Sequence, residues 1–432
     1  MHSAKILMCS ILTAAVAGVA VPALGADTPA TMPAAKVRVV ACDVQVQSKK
    51  RGLCANDMSA EDFKAIAPGV SWYYTWNFEQ TDNAKVPAGV NVEFVPMVWG
   101  NAPEQLEGLK KYLKTGAKPR AILAINEPNL KGQAFITPEE TAALYKKIKA
   151  VGDEYKIEVV GPNMSLGSAK PDSITAVDPI DKKETTYTFM VPFLKAFQYY
   201  LGKEEMPAIG WHTYGEMGEF KWAIGQMGDE FAKPMWVTEY AYWKTGNPEG
   251  EIRYMIEATD LMERSPKVAA YAWFKERVNE NRKLSILGKE PGTLTPLGKF
   301  YVNMPAHDSE VYYQIPGKLE AAKYATADEV AAAPSREKDT MLEIVASNGG
   351  GNLCYNINVP AAGEYTVDIR TTQGGDLLIL DSNKKELADL TVANKGWQTV
   401  TATVKLPAGP QTLRLYPDSG GQAFTWLEFK KK

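Results

Sequence analysis

Residues 120–129, Arg-Ala-Ile-Leu-Ala-Ile-Asn-Glu-Pro-Asn, stay apolar from Ala121 to Ile125 and then end on an amide and a carboxylate side by side. The apolar run has the length and character of a buried strand. An acid followed by a proline also suits the first turn of a helix, so Glu127 and Pro128 read equally as a helix start. The other reading makes Glu127 half of a catalytic pair. That reading demands a second carboxylate in an equivalent place.

Runs of the same kind recur along the chain: RGLCAN (51–56), VSWYYTW (70–76), VEFVPMVWG (92–100), AILAIN (121–126), IEVVGPN (157–163), AIGWHTYG (208–215), MWVTEYAYW (235–243) and VAAYAWFKE (268–276). Between them lie amphipathic stretches such as PEQLEGLKKYLKTG and PEETAALYKKIKAVGDEY, with apolar residues three and four apart. Eight strands alternating with helices predict a parallel sheet closed into a (β/α)8 TIM barrel. An open doubly wound sheet is disfavoured, because no glycine-rich phosphate-binding loop follows any of these runs. After Tyr301 the pattern changes to short alternating runs between Asp, Asn and Gly turns, including EYTVDIRT, DLLILD and WQTVTATVKL. That spacing predicts an all-β sandwich. The expected layout is a signal peptide over 1–25, the barrel over 36–303, a linker over 304–316 and the sandwich over 317–432.

The signal peptide rests on His2 and Lys5 before an apolar stretch from Ile6 to Ala23, with small residues ahead of Ala26. A secreted protein, extracellular or periplasmic, is expected, with no membrane association once that segment is cleaved. In an oxidising compartment Cys42 and Cys54 form the expected bridge, leaving Cys354 free. The 432 residues carry 48 basic against 51 acidic side chains, a formal charge of -3, which gives no reason to expect nucleic acid as a partner. A monomer is expected.

In a barrel of this kind chemistry belongs at the C-terminal ends of the strands. The seventh run ends in Glu239, and simple alternation places Val237 and Glu239 toward the axis while Trp236 and Thr238 face the helices. Glu127 and Glu239 would then lie across the opening from one another. Carboxylates about 5 to 5.5 Å apart are what a retaining glycosidase needs, one as acid and one as nucleophile. Only three histidines are present, and only His212 falls in the barrel, so a histidine-rich zinc site is excluded and no metal or other cofactor is expected. No Gly-x-Ser-x-Gly elbow occurs either. His212 and Tyr214 end the sixth run and should point into the same mouth.

Ten tryptophans are present. Trp211 and Trp236 read as packing residues facing the helices. Trp76, Trp99, Trp243 and Trp273 fall at strand ends, where an indole can stack on the flat C–H face of a sugar ring.

KRGLCAND, VSWYYTWN, EFVPMVWG, INEPN, GPNMS, GWHTYG, WVTEYA, AYAWF and TLTPLGKFY together resemble glycoside hydrolase family 128, mainly endo-β-1,3-glucanases on a (β/α)8 barrel. The resemblance implies that Glu127 is the general acid/base, Glu239 the nucleophile and Asn126 a partner for the sugar 2-hydroxyl, with retention of configuration. KLEAAKY, GEYTVDIR, WQTVTATVKLPAGPQTLRL and GGQAFTWLEF resemble carbohydrate-binding module family 6. Where that family usually has Glu-Ala-Glu this chain has Glu320-Ala321-Ala322, and Ala423 stands where a sugar-contacting Asn is usual. The expected function is that of a secreted, retaining endo-β-1,3-glucanase, which hydrolyses internal β-1,3-glucosidic bonds of β-glucan polysaccharide or oligosaccharide by double displacement. The alternatives are a glycosidase of the same fold acting on another β-glycan and a non-catalytic β-glucan-binding protein.

Overall fold

The computed structural model describes residues 37–242, 247–278, 284–347 and 349–432. The signal-peptide segment 1–25, the start of the expected barrel at Lys36, and Trp243 lie outside the described residues.

The strands Arg51–Cys54, Trp72–Tyr74, Glu93–Phe94, Met97–Val98, Ala121–Ala124, Glu158–Ser165, Ala208–Thr213, Met235–Tyr240 and Val268–Phe274 form one curled, nine-stranded sheet. Every pairing in it is parallel. The two ends of the strand order are Glu93–Phe94 and Met97–Val98, two pieces of one run separated by Val95 and Pro96. The first piece pairs with Trp72–Tyr74 and the second with Ala121–Ala124. Seven α-helices connect or follow these strands, among the described residues. Their starts are written in the sequence: Ser59 with Asp62, and Thr137 with Glu140, each form a reciprocal capping box, and Pro138 opens the second of these helices.

Continuously apolar strands are buried on both faces. One face packs on the helices, and the other forms an inner cluster that includes Cys54, Trp72, Tyr74, Leu123, Val160, Trp236 and Ala272. Trp236 therefore faces inward, contrary to the alternation read from sequence, with its ring 5.2 Å from that of Trp72. Trp211 does face the helices, 5.7 Å from Phe220.

The C-terminal region folds into two sheets. The six-stranded sheet runs in the order Val330–Pro334, Leu342–Ala346, Ala423–Lys431, Gly363–Thr372 and Gln398–Leu406, with Gly317–Glu320 added on Ala423–Lys431. The seven-stranded sheet takes in Val311–Gln314, part of the expected linker, which pairs with Asn352–Val359. Its edge is Arg38–Ala41, from the expected barrel segment, lying parallel to Val311–Gln314. The alternating run Val311-Tyr312-Tyr313-Gln314 buries Val311 and Tyr313 in the sandwich core, which is why it is strand and not linker.

The expected Cys42–Cys54 bridge is absent. Cys54 sits in the inner cluster with its thiol 3.2 Å from the Thr238 carbonyl, whereas the Cys42 thiol donates to the Gln314 carbonyl at 3.2 Å. Cys42, Cys54 and Cys354 are all free and buried. Burial pushes the Cys42 thiol up to about 11 and the Cys54 thiol well above its ordinary value. At pH 8 a small thiol reagent should therefore leave Cys42 and Cys54 unlabelled in the folded protein. Unfolding in urea without reductant should expose every cysteine to alkylation; an intact mass showing two cysteines without adducts would reveal a bridge.

Candidate active site

The strand Ala121–Ala124 ends in a turn that places its polar residues. Ile125 and Glu127 adopt positive φ of 59° and 42°, and Trp76, at the end of another strand, adopts 58°. A β-branched residue in the left-handed region is a genuine outlier, costing about 1–3 kcal/mol, and survives only where its surroundings over-determine it. Here they do. The Ile125 N–H donates to Val98 O at 2.7 Å, Asn126 N–H to Trp99 O at 2.8 Å and Glu127 N–H to Asn163 O at 2.7 Å.

Asn163, fully buried, holds this turn to the strand that carries the second carboxylate. Its backbone N–H donates to Ile125 O at 3.0 Å and its side-chain amide to Ala124 O at 2.9 Å. Its side-chain oxygen accepts from the Thr238 hydroxyl at 3.0 Å. Gly210 lies against it: a Cβ there would stand 2.1 Å from that same oxygen, so no larger residue fits.

Glu239 reaches the mouth through an irregularity in its strand. Trp211 pairs with Val237 but His212 pairs with Glu239, so Thr238 is an extra residue bulged between them. Starting from inward-facing Trp236, strict alternation would have turned Glu239 into the helix layer. The bulge restores it to the mouth and lets Thr238 reach Asn163. The sequence reading placed Glu239 correctly but for the wrong reason.

At the mouth the two carboxylates converge, Glu127 being 6% and Glu239 5% exposed. His212 Nδ1 lies 3.0 Å from Glu127 Oε1 and 3.5 Å from Glu239 Oε1, so those oxygens are no farther apart than the sum of the two distances. Glu239 Oε1 also accepts from the Tyr74 hydroxyl at 3.0 Å and from Trp76 Nε1 at 2.8 Å, while its Oε2 accepts from the Tyr214 hydroxyl. Burial works to lower the His212 pKa, but Glu239 and Glu127 outweigh it and hold the ring above its ordinary value. Burial, reinforced by Glu239, pushes the Tyr214 hydroxyl well up, so it stays a donor.

A cleft of about 600 Å³ opens on these groups, lined by Trp76, Trp99, Asn126, Glu127, Tyr214, Glu239 and Phe274 among others. The Asn126 amide donates to Gln133 at 3.0 Å, and its oxygen is buried with no partner among the described residues. Trp273 does not belong here. It is fully buried behind the sheet, its Nε1 donating to Leu284 O at 2.7 Å and its ring 5.0 Å from Tyr240. Ala270 and Ala272 face inward, so alternation sends Trp273 outward and brings Phe274 into the cleft instead. Among the described residues no group of three or more His, Cys, Asp or Glu side chains is arranged to hold a metal ion. The alternation that turns Thr238 to the helices is overturned by its bond to Asn163, and Tyr74, Asn163 and Gly210 carry no role in the sequence reading. Only the GPN triplet closing its strand run offered a signal, and a three-residue signal does not reveal which polar groups it will bind.

Residues 52–301 match the glycosyl hydrolase catalytic core, and residues 320–431 match carbohydrate binding module family 6. The fold is similar to that of a subgroup II endo-β-1,3-glucanase of glycoside hydrolase family 128 from Pseudomonas viridiflava. That likeness has 30% identity and a TM-score of 0.53 over 60% of this chain and 99% of the other. The subgroup II enzyme of the same family from Sorangium cellulosum is similar at 27% identity and a TM-score of 0.52, over 60% of this chain and 100% of the other. A search among curated proteins gave no match.

Replacing Asn163 by Ala removes the tie between the two carboxylate-bearing strand ends. The expected outcome is a fall in kcat of about a hundred-fold with KM changed far less, measured on a variant whose circular dichroism matches the wild type. An unchanged kcat would show that the strand ends hold their places without it.

Proposed function

Since the chain belongs to glycoside hydrolase family 128 and carries a family 6 carbohydrate-binding module at its C-terminus, we propose that it cleaves internal β-1,3-glucosidic bonds by double displacement. The reading takes the curled sheet as a (β/α)8 barrel closed through the split strand over 93–98, with the cleft at its mouth. Its endo action and β-1,3 linkage are carried over from the two similar enzymes. A signal-type N-terminus and a carbohydrate-binding module support a secreted protein acting on polymer.

The observation that carries the proposal is the pair of buried carboxylates facing one imidazole nitrogen at 3.0 and 3.5 Å. That limit on the nearest oxygens accommodates the about 5–5.5 Å separation of a retaining pair. Glu239 is the nucleophile. Three donors and the imidazole surround its oxygens, fixing where its lone pairs point. Glu127, touched by His212, gives its proton to the glycosidic oxygen as a Glu239 oxygen bonds to the anomeric carbon. The bond to the leaving glucan breaks, and the departing chain keeps the proton as its new hydroxyl. Glu127, now a carboxylate, takes a proton from a water whose oxygen attacks the same carbon and frees Glu239. The unpartnered Asn126 oxygen accepts from the 2-hydroxyl of the sugar in the cleft.

Glu127→Ala and Glu239→Ala should each fold normally and lose at least about a thousand-fold in reducing-end release from β-1,3-glucan, the cost of removing a nucleophile or acid. Proton NMR of the first products of the wild-type enzyme should show the β anomer. Initial release of the α anomer would reject double displacement, and full activity in either variant would reject the residue assignment. Parallel assays on curdlan, laminarin, xylan, mannan and cellulose test the linkage.

A further inference from the structure

We propose that Trp222 and Phe189 form a second sugar-binding platform on the rim beside the cleft, where a β-linked glucan chain too long for the cleft rests a pyranose ring. The idea builds on the glucanase reading and adds a binding site to it. Trp222 is 52% exposed, while Trp72, Trp211 and Trp273 are fully buried. Its ring is 5.3 Å from that of Phe189, tilted by 39°, so the two make one apolar surface.

Both residues are fixed to the cleft wall. Phe189 caps the helix Met190–Leu201 and bridges Gly167, and the neighbouring Ser168 N–H donates to Thr188 O at 3.0 Å. Ser165, three residues before Ser168, lines the cleft. Trp222 lies on the helix Met217–Phe231, which begins three residues after Tyr214, the residue whose hydroxyl reaches Glu239. Side chains on a helix lean toward its N-terminus, and this N-terminus is at the mouth end of its strand. The indole therefore leans toward the end of the sheet at which the cleft opens.

The helix also leaves the space beside the indole bare. Gly218 and Gly225 are one turn before and one turn after Trp222 on the same side, and a Cβ at either would meet nothing within 4 Å among the described residues. Glycine inside a helix is destabilising, so no packing gain explains this pair. An uncharged aromatic shelf with cleared flanks suits the C–H face of a sugar. It does not suit a stable protein partner, which needs on the order of 1,200 Å² of buried surface.

The test uses the full-length chain and the substitutions Trp222→Ala and Trp222→Phe. Depletion onto insoluble β-1,3-glucan measures binding without turnover. Reducing-end release is followed on the same polymer and on a laminari-oligosaccharide short enough to fill only the cleft. Trp222→Ala should weaken polymer binding and raise the polymer KM by about three- to ten-fold, the range of one aromatic contact. Trp222→Phe should recover most of that loss, and kcat on the oligosaccharide should be the same in all three proteins. Wild-type behaviour of Trp222→Ala on the polymer overturns the platform, as do parallel losses on both substrates. A wild-type dimer that Trp222→Ala splits in sedimentation also overturns it, by assigning the patch to a second copy. A wild-type chain that binds the polymer and never cleaves it would defeat the glucanase reading alone, because the depletion arm judges the platform separately.

Discussion

Two carboxylates buried within reach of one imidazole nitrogen set the terms for everything around them. Burying a charge without partners costs several kcal/mol or more. The fold answers by surrounding Glu239 with the Tyr74 and Tyr214 hydroxyls, the Trp76 indole N–H and His212. Among the described residues, Glu127 has His212 as its side-chain hydrogen-bond partner. That asymmetry distinguishes the two residues of one type. Under the proposed double displacement, the oxygen ringed by donors is the one oriented to attack, and the carboxyl of Glu127, which lines the open cleft, is the one that hands over a proton. The left-handed backbone at Trp76, Ile125 and Glu127 is the strain accepted to bring these groups together.

A rigid frame must hold such a site, and part of it comes from beyond the sheet that bears the carboxylates. Arg51, fully buried at the opposite end of a central strand, pairs with Glu263 at 3.0 Å and donates to the carbonyls of Tyr301, Met304 and Pro305. The chain leaving that point carries His307, whose Nδ1 faces Tyr324 O at 2.8 Å and whose Nε2 faces Asp260 at 3.0 Å. Burial pushes the Asp260 carboxyl up, but His307, Arg264 and Tyr324 outweigh that and hold it below the usual carboxylate range. His307 and Tyr324 stack with centroids 4.1 Å apart. The helix Pro248–Arg264 is thereby joined to the β-sandwich by buried polar contacts, and the Arg38–Ala41 strand adds a second crossing of the chain. Removing either member of such a buried pair leaves the other unsatisfied, so these contacts specify one arrangement of the two parts rather than merely adding attraction.

Legibility from sequence followed the range of the interaction involved. Strand and helix succession and the approach of Glu127 to a strand end depend on neighbours a few residues away, and they are legible in the sequence. The register of the Met235–Tyr240 strand is not, because the bulge at Thr238 is fixed by Asn163, 75 residues distant. The same loss of register exchanged Trp273 for Phe274 in the cleft and turned Trp236 inward. Strand Val311–Gln314 reads as linker in the sequence because its partners, Arg38–Ala41 and Asn352–Val359, lie far off on either side. Cysteine spacing suggested a bridge, yet the two thiols went to different cores.

A bulge that rotates one residue has a consequence for how this site tolerates change. Thr238 and Glu239 are neighbours in the chain but serve different partners, the first holding Asn163 and the second facing the cleft. Any change that repaired the regular pleat would keep both residue types and still lose the pair, since a one-residue slip sends every side chain to the opposite face. The pairing of His212 with Glu239 across the bulge, and the lack of room for a Cβ at Gly210, both oppose that slip. What must persist is therefore wider than two acids. It includes a buried amide, a hydroxyl and an absent side chain, three features that carry no chemistry of their own and decide whether the chemistry is assembled.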